Sequence, residues 1–219
     1  MNGRRVLLLG ATGLVGGQLL RQLLADARVG TVVALVRRPM APPPGITREQ
    51  AAKLDARVVD FDRLEESADA FTGAGQLFCA LGTTIREAGS QERFRRVDHD
   101  YPVDAGRIGQ QLGASHYLLV SSMGADPGSR IFYTRTKGEV ERDVIALGYR
   151  SVTIVRPSLL LGERGEFRLG EEIAKRFAWA TPRKWKPVQA RDVAAALVEA
   201  AHEDRPGVRI VESAEIERR

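Results

Sequence analysis

Short apolar runs alternate with longer amphipathic segments along almost the whole chain. Val6-Leu7-Leu8-Leu9 is continuously apolar, as a strand buried on both faces of a parallel sheet must be. From Leu14 to Ala25 the pattern becomes helical, with Leu19, Leu20, Leu23 and Leu24 on one face. Thr31 to Val36 is rich in β-branched residues and predicts a second strand. Further short strands are expected at Val58-Val59, Leu77 to Leu81, Tyr117 to Val120, Val152 to Val155 and Val208 to Val211. Between them lie helical patterns over Arg63 to Phe71, Glu92 to Leu112, Phe132 to Leu147, Glu171 to Ala178 and Ala190 to Ala201. Pro102 should interrupt the second of these, because the residue before a proline avoids the α region. Ala41-Pro42-Pro43-Pro44-Gly45 reads as a loop. This alternation predicts an α/β fold, a doubly wound parallel sheet with helices on both faces.

The first loop adds chemistry to that scaffold. Strand one runs into Gly10-Ala11-Thr12-Gly13-Leu14-Val15-Gly16, and a helix begins there. Gly10 allows a tight turn, Gly13 lets the backbone approach a pyrophosphate, and Gly16 lets the helix pack close to the strand. The free N–H groups and the dipole of the helix N-terminus would then hold phosphate charge. At the end of strand two an NAD site would carry an acid for the ribose hydroxyls. Here the chain has Val36-Arg37-Arg38. A carboxylate would repel a 2′-phosphate, whereas a guanidinium grips one in a bidentate manner, so the pattern predicts NADPH rather than NADH. Asp60, after the third strand, is a weaker candidate for the adenine edge.

A second group of polar residues falls at the expected carboxyl end of strand five, where open α/β sheets bind ligands. Ser121-Ser122 ends that strand, Tyr133 follows eleven residues after Ser122, and Lys137 lies one helical turn beyond. A spacing of four places Tyr133 and Lys137 on one helix face. Tyrosine, with an ordinary pKa near ~10, is a poor acid or base at neutral pH. A nearby ammonium and an oxidised nicotinamide stabilise the phenolate. Lys137 can do this while binding the nicotinamide ribose, and Ser122 can hold the reacting oxygen against Tyr133. This is a hydride-transfer site in outline.

The glycine loop, the strand-end serines and the Tyr-x-x-x-Lys helix resemble the atypical branch of the short-chain dehydrogenase/reductase superfamily. "LGTTIREAGSQERFRRVDHDY", "LVSSMGAD", "YTRTKGEVE" and "RPSLLLGERGEFRLGE" are similar to the Tat-interacting oxidoreductase family within it. The resemblance runs from Gly10 to about Glu172. It implies a Rossmann fold, NADPH as cofactor, Tyr133 as proton donor or acceptor and Lys137 as its partner. It also implies that Leu81 and Gly82 line the nicotinamide side and that Leu160 and Arg168 close over the cofactor. Many superfamily members carry a relay asparagine in the helix after strand four. The nearest position here holds Asp98, followed by His99. Thr83 to Arg86 and Met123 to Asp126 are the candidate pocket loops.

Size and composition bound the rest. A chain of 219 residues, 43% hydrophobic and 28% charged, is expected to form one soluble domain. Only 63 residues run from Pro157 to Arg219, enough for a small substrate-side extension whose pocket is small, open or shared with a partner chain. No apolar run approaches the ~18 residues of a membrane span. Met1 to Gly10 resembles a leader only superficially, because its apolar stretch is short and no cleavage site follows. A cytoplasmic location is the expectation. Cys79 is the single cysteine, and the three histidines lack metal-ligand spacing, so neither an internal disulfide nor a metal is expected. The net charge of +5 is scattered, with its densest patch at Pro182-Arg183-Lys184-Trp185-Lys186-Pro187. That patch reads as a solvated loop, and nucleic acid is set aside as a partner. Two functions stay open: an NADPH-dependent reductase of a small carbonyl substrate, and an NADPH sensor acting through a protein partner without turnover.

Overall fold

The computed structural model describes residues 3–161 and 186–216. Strands β1 (Arg4–Leu9), β2 (Val29–Val36), β3 (Leu54–Val58), β4 (Gln76–Cys79), β5 (His116–Val120), β6 (Ser151–Arg156) and β9 (Gly207–Glu212) form one sheet in the order β3-β2-β1-β4-β5-β6-β9. Every pairing in it is parallel. Each connection is therefore a crossover, and the helices are forced onto the two faces of the sheet. The chain winds outward from β1 to β3, returns to β4, and winds the other way to β9. The order reverses between β1 and β4, which opens a crevice above their carboxyl ends. This is the Rossmann-type architecture that the alternating pattern predicts.

The strands' continuous apolar character has its reason in the two-sided core. On one face Val6, Leu8, Val32 and Ala34 pack with Leu19, Leu20, Leu23 and Leu24 of α1 (Leu14–Ala25). Val193, Ala194 and Leu197 of the helix Ala190–Glu203 complete that layer. On the other face Leu7, Leu9, Val33 and Leu35 meet Ala105 and Ile108, together with Val140 and Val144 of the helix Phe132–Ala146. Successive β1 residues alternate between the layers, so neither face of the strand can be polar.

Several elements differ in detail from the apolar pattern. The third strand is Leu54–Val58 rather than Val58-Val59, and a short helix α2 (Arg48–Ala52) precedes it, closed by a Thr47–Gln50 capping box. Residues Phe61–Phe71 form a kinked 3₁₀ stretch rather than an α-helix, with non-helical backbone at Arg63 and Ser67. The long helix expected over Glu92 to Leu112 is three pieces: α4 (Gln91–Arg95), a π turn (Arg96–Asp100) and α5 (Tyr101–Gln111). Pro102 does not interrupt the run as expected: Tyr101 before it keeps α-region backbone (φ −60°, ψ −44°), and the widened π turn lies just ahead of it. A four-residue helix α3 (Ile85–Ala88), with its own Thr84–Glu87 capping box, precedes α4. The helix Phe132–Ala146 is α6, Ala190–Glu203 is α7, and Ser213–Ile216 is a terminal turn. A two-residue ribbon pairs β7 (Leu160–Leu161) with β8 (Val188–Gln189). The helix expected over Glu171 to Ala178, Arg168 and most of the basic patch lie outside the described residues.

The junction of β1 and α1 depends on two absent side chains. Gly10 has φ of +83°, and a Cβ there would lie 2.4 Å from the Ala80 carbonyl oxygen. A Cβ on Gly16 would lie 1.9 Å from the Gly10 carbonyl oxygen, so α1 packs directly on its own lead-in turn. Gly16→Ala must push helix and turn apart, at a cost of about 1–3 kcal/mol. For a chain of this size that lowers Tm by about 2–4 °C per kcal/mol. A thermal melt of Gly16→Ala at the native Tm would show that α1 does not sit this close.

Candidate functional site

The site lies at the carboxyl ends of β1, β2, β4 and β5, around the reversal in strand order. On its phosphate side, Gly13 caps α1 without a side-chain hydrogen bond, and the first turn of α1 carries no acid. The Gly13 N–H is used to close the turn onto the Gly10 carbonyl at 2.8 Å. The N–H groups of Leu14, Val15 and Gly16 come before the first i→i−4 bond of the helix, which is made by Gly17 to Gly13 at 2.8 Å. They and the helix dipole suit an anion. Thr12 lies in the turn between Gly10 and Gly13. Arg37 and Arg38 are exposed just beyond β2, and neither guanidinium pairs with a described carboxylate. Asp60 is engaged locally, capping the 3₁₀ stretch through the Asp62 N–H at 3.0 Å and holding Arg63 at 3.2 Å. These residues fit a dinucleotide phosphate and leave Arg37 and Arg38 free to meet a further one.

On the chemical side the centre is Lys137. It is buried on α6, and its Nζ lies 2.7 Å from Asp98 Oδ1. The contact is close enough for strong Coulomb attraction but lies off the hydrogen-bond axis, since Asp98 Oδ1 has no well-directed donor. The other oxygen, Oδ2, accepts the Thr83 N–H at 2.9 Å, tying the carboxylate to the loop after β4. Burial works against the Lys137 charge; Asp98 and then Tyr133 outweigh it, so the ammonium is held above the ordinary lysine range. Tyr133 lies one turn back on α6, 36% exposed, its ring tilted against Phe94 with centroids 5.6 Å apart. Phe94 is fully buried and also packs on Phe132, so α4 supports the start of α6 from beneath. A cradle that buries an ammonium while leaving a phenol at the surface can supply a proton to something above it.

The two strand-end serines separate. Ser121 is buried and its Oγ donates to Glu141, one turn beyond Lys137 on α6. Glu141 in turn receives the Arg156 guanidinium from the end of β6, with Nε 3.0 Å and 3.2 Å from its two oxygens. Ser121 is thereby committed to a buried structural network. Ser122 is half-buried, and its Oγ makes only a long 3.4 Å contact with the Met123 carbonyl. Leu81 packs partly buried against the core layer of Leu7 and Leu9, and Gly82 lies beside Asp98, 3.7 Å separating Oδ1 from an added Cβ. Leu160, on β7, packs against the opposite core layer.

Asp98 and His99 also take different directions. His99 is held between Asp100, at 2.8 Å, and Asp143, at 2.9 Å, away from Lys137. Of the relay candidates only Asp98 meets the lysine. Thr83 opens one of the expected pocket loops, whereas Phe94 and the Glu141–Arg156 pair are parts of the site to which the motifs assign no role. Glu141 alone had a signal, a carboxylate four residues beyond Lys137 on the same helix face.

Residues 10–204 match the NAD(P)H-binding family. The chain belongs to that family. It is 37% identical over 185 residues to Protein HTATIP2 of Rattus norvegicus, covering 84% of this chain and 74% of that one. It is likewise 37% identical over 177 residues to "Protein fmp52, mitochondrial" of Emericella nidulans, covering 80% and 75%. FMP52 of Saccharomyces cerevisiae, also named mitochondrial, is 37% identical over 164 residues, covering 75% and 68%. The resemblance to the Tat-interacting family is thereby borne out. The expected cytoplasmic location is corrected: the fungal relatives are named mitochondrial, and neither composition nor core pattern carries a compartment address. Among solved structures, MoeE5 in complex with UDP-glucose and NAD superposes with a TM-score of 0.71 at 20% identity, covering 98% of this chain and 79% of that one. That likeness shows the fold. Among the described residues no helix is long and apolar enough to cross a membrane, and no three His, Cys, Asp or Glu side chains are grouped to hold a metal.

The two serines can be told apart by stability. Glu141→Ala leaves the Arg156 guanidinium half-buried and tied only to Glu212, which should cost about 2–3 kcal/mol. Ser122→Ala should stay within about 0.5 kcal/mol of the native protein. Urea unfolding measures both, and a neutral Glu141→Ala would dismiss the network.

Proposed function

We propose that the protein is an NADPH-dependent reductase of a small carbonyl substrate. The observation that carries this reading is the Lys137 ammonium, buried against Asp98 one helical turn from the exposed Tyr133. Purely structural helices keep their lysines in solvent, because burying an ammonium is expensive unless it is paired. Here one side of the ammonium faces Asp98, leaving other Nζ donors for the ribose hydroxyls of a nicotinamide nucleotide.

The remaining roles follow the same geometry. Leu14, Val15 and Gly16 N–H groups would hold the pyrophosphate; Arg37 and Arg38 would hold the 2′-phosphate that distinguishes NADPH. When bound, the nucleotide supplies hydride to the carbonyl carbon. Ser122 Oγ would hold the carbonyl oxygen, and the Tyr133 hydroxyl would deliver its proton to that oxygen as the carbon–oxygen double bond becomes a single bond. Leu81 and Gly82 would border the nicotinamide, with Leu160 and Arg168 on the side of the segment after β6. Residues 157–219 would form a small substrate-side extension of one 1–219 domain.

A sensor that binds NADPH for a protein partner would use the glycine loop and the arginines, yet has no need of a buried ammonium one helical turn from a phenol. The two readings part in the laboratory. Fluorescence titration should give NADPH at least tenfold tighter than NADH, and equal affinities would remove Arg37 and Arg38 from the site. Tyr133→Phe should lower turnover of an accepted carbonyl by about 10²–10⁴-fold while NADPH affinity stays near native. Full activity in that variant would end Tyr133's part in the chemistry.

A further inference from the structure

A second buried polar cluster lies at the amino ends of the strands, opposite the crevice. His116 opens β5 with its ring buried, 1% exposed. Its register partners are Gln76 on β4 and Ser151 on β6, both buried, as is Thr153. The Gln76 amide donates to the Ala201 carbonyl at 2.7 Å, which sets the cluster against the end of α7. His116 Nε2 lies 3.0 Å from Thr153 Oγ1, and Nδ1 lies 3.0 Å from Asp204 Oδ1. Neither Nδ1 nor Oδ1 has a better-directed partner among the described residues. Asp204 turns the chain from α7 toward β9, and among the described residues it alone has a positive φ without being glycine, at +44°. Arg150 holds it there, donating to its carbonyl oxygen at 3.2 Å and to its carboxylate. The Arg150 carbonyl in turn accepts the Gly207 N–H at 2.8 Å. We propose that His116 is a proton-sensitive catch: its neutral ring, closed between Thr153 and the Asp204–Arg150 pair, fastens the corner between α7 and β9, and mild acid releases that corner together with the edge strand.

The charges around the ring decide the direction. Gln76, Ser151 and Thr153, which face it from β4 and β6, are uncharged. Among the described residues the charged groups that act on it are Asp204 and Arg150. The Asp204 carboxylate already has its cation in Arg150, so an imidazolium would set two cations against one anion out of water. Burial above all holds the ring below the ordinary histidine range; Asp204 opposes this shift and Arg150 adds to it. Of the two neutral tautomers, the Nδ1–H form suits both neighbours, donating toward Asp204 and accepting the Thr153 hydroxyl. The other sets a lone pair against a carboxylate. A depressed histidine supports the fold fully above its unfolded value of about 6.5, and that support is lost as pH falls below it. The strand at stake is joined to the sheet through β6 alone. Its far end carries Glu212 and Ser213, which hold Arg156 at 3.1 Å and the Ser158 N–H at 3.2 Å. Protonation at the amino ends of the strands thus loosens a brace at their carboxyl ends.

Amide exchange at about pH 7.5 and about pH 5.5, corrected for intrinsic rates, tests this on the whole chain without ligand. In the native protein the protection of the β9 amides, Gly207 among them, should fall at least about threefold at the lower pH. The opposite edge strand, β3, opens without uncovering His116 and should keep its protection. His116→Gln keeps a donor and an acceptor but takes up no proton, and there the fall in β9 should vanish. Protection of β9 that holds in the native protein, falls no more than that of β3, or falls equally in His116→Gln overturns the proposal. Asp204→Asn is the second check, because asparagine tolerates the left-handed backbone and removes the carboxylate. The fall should persist in it. Its disappearance would make the carboxylate the sensor, and would overturn the proposal even if His116→Gln does not fold.

Discussion

An ammonium inside a protein is tolerable only where another charge or a set of acceptors answers it, and in this fold the answer to Lys137 is Asp98. Both side chains are almost wholly removed from water. Neither could be there alone. Their pairing joins three elements that are far apart in the chain: the loop after β4, the π turn before α5, and α6. The site is thus held together by an electrostatic requirement that the surrounding apolar layers would otherwise forbid.

The parallel sheet makes that meeting possible. Every crossover returns the chain to the same edge, so residues 10, 83, 122 and 137 share one rim although more than a hundred positions separate the first from the last. Close packing at β1 then sets how near a ligand could approach. Gly10 and Gly16 leave no room for side chains between the turn, α1 and the Ala80 carbonyl, and the uncapped N-terminus of α1 remains open. The open N-terminus of α1 on one side and the Lys137–Asp98 pair on the other are positioned by one topological reversal.

What is legible in the sequence is what repeats. Strands buried on both faces show as unbroken apolar runs, and so β1, β2, β4, β5 and β6 stand close to where the pattern puts them. β3 departs from its expected place because it is half-exposed, at the sheet's edge, and its sequence Leu-Asp-Ala-Arg-Val has no continuous apolar signal. The choice between Asp98 and His99 is not legible either. Adjacent helical residues point about 100° apart, so only one of them can face Lys137. Which one depends on a π turn that no local pattern announces. The separate fates of Ser121 and Ser122 likewise depend on Glu141, a residue brought in from another element.

The stretch "YTRTKGEVE" shows most sharply why composition alone misleads. Lys137 and Glu141 are four apart, and on a solvated helix they would form a weak pair with each other. Here each turns to a different partner: Lys137 to Asp98 of the π turn, Glu141 to Arg156 at the end of β6. Suppose α6 slid by one turn along its own axis. Glu141 would then oppose Asp98, or Lys137 would oppose Arg156, according to the direction. Either slip sets like charges face to face in a buried layer, at a cost that apolar packing alone would not impose. Two charges of opposite sign, crossed with two partners of opposite sign, specify the register of the helix. That register is what carries Tyr133 to the rim.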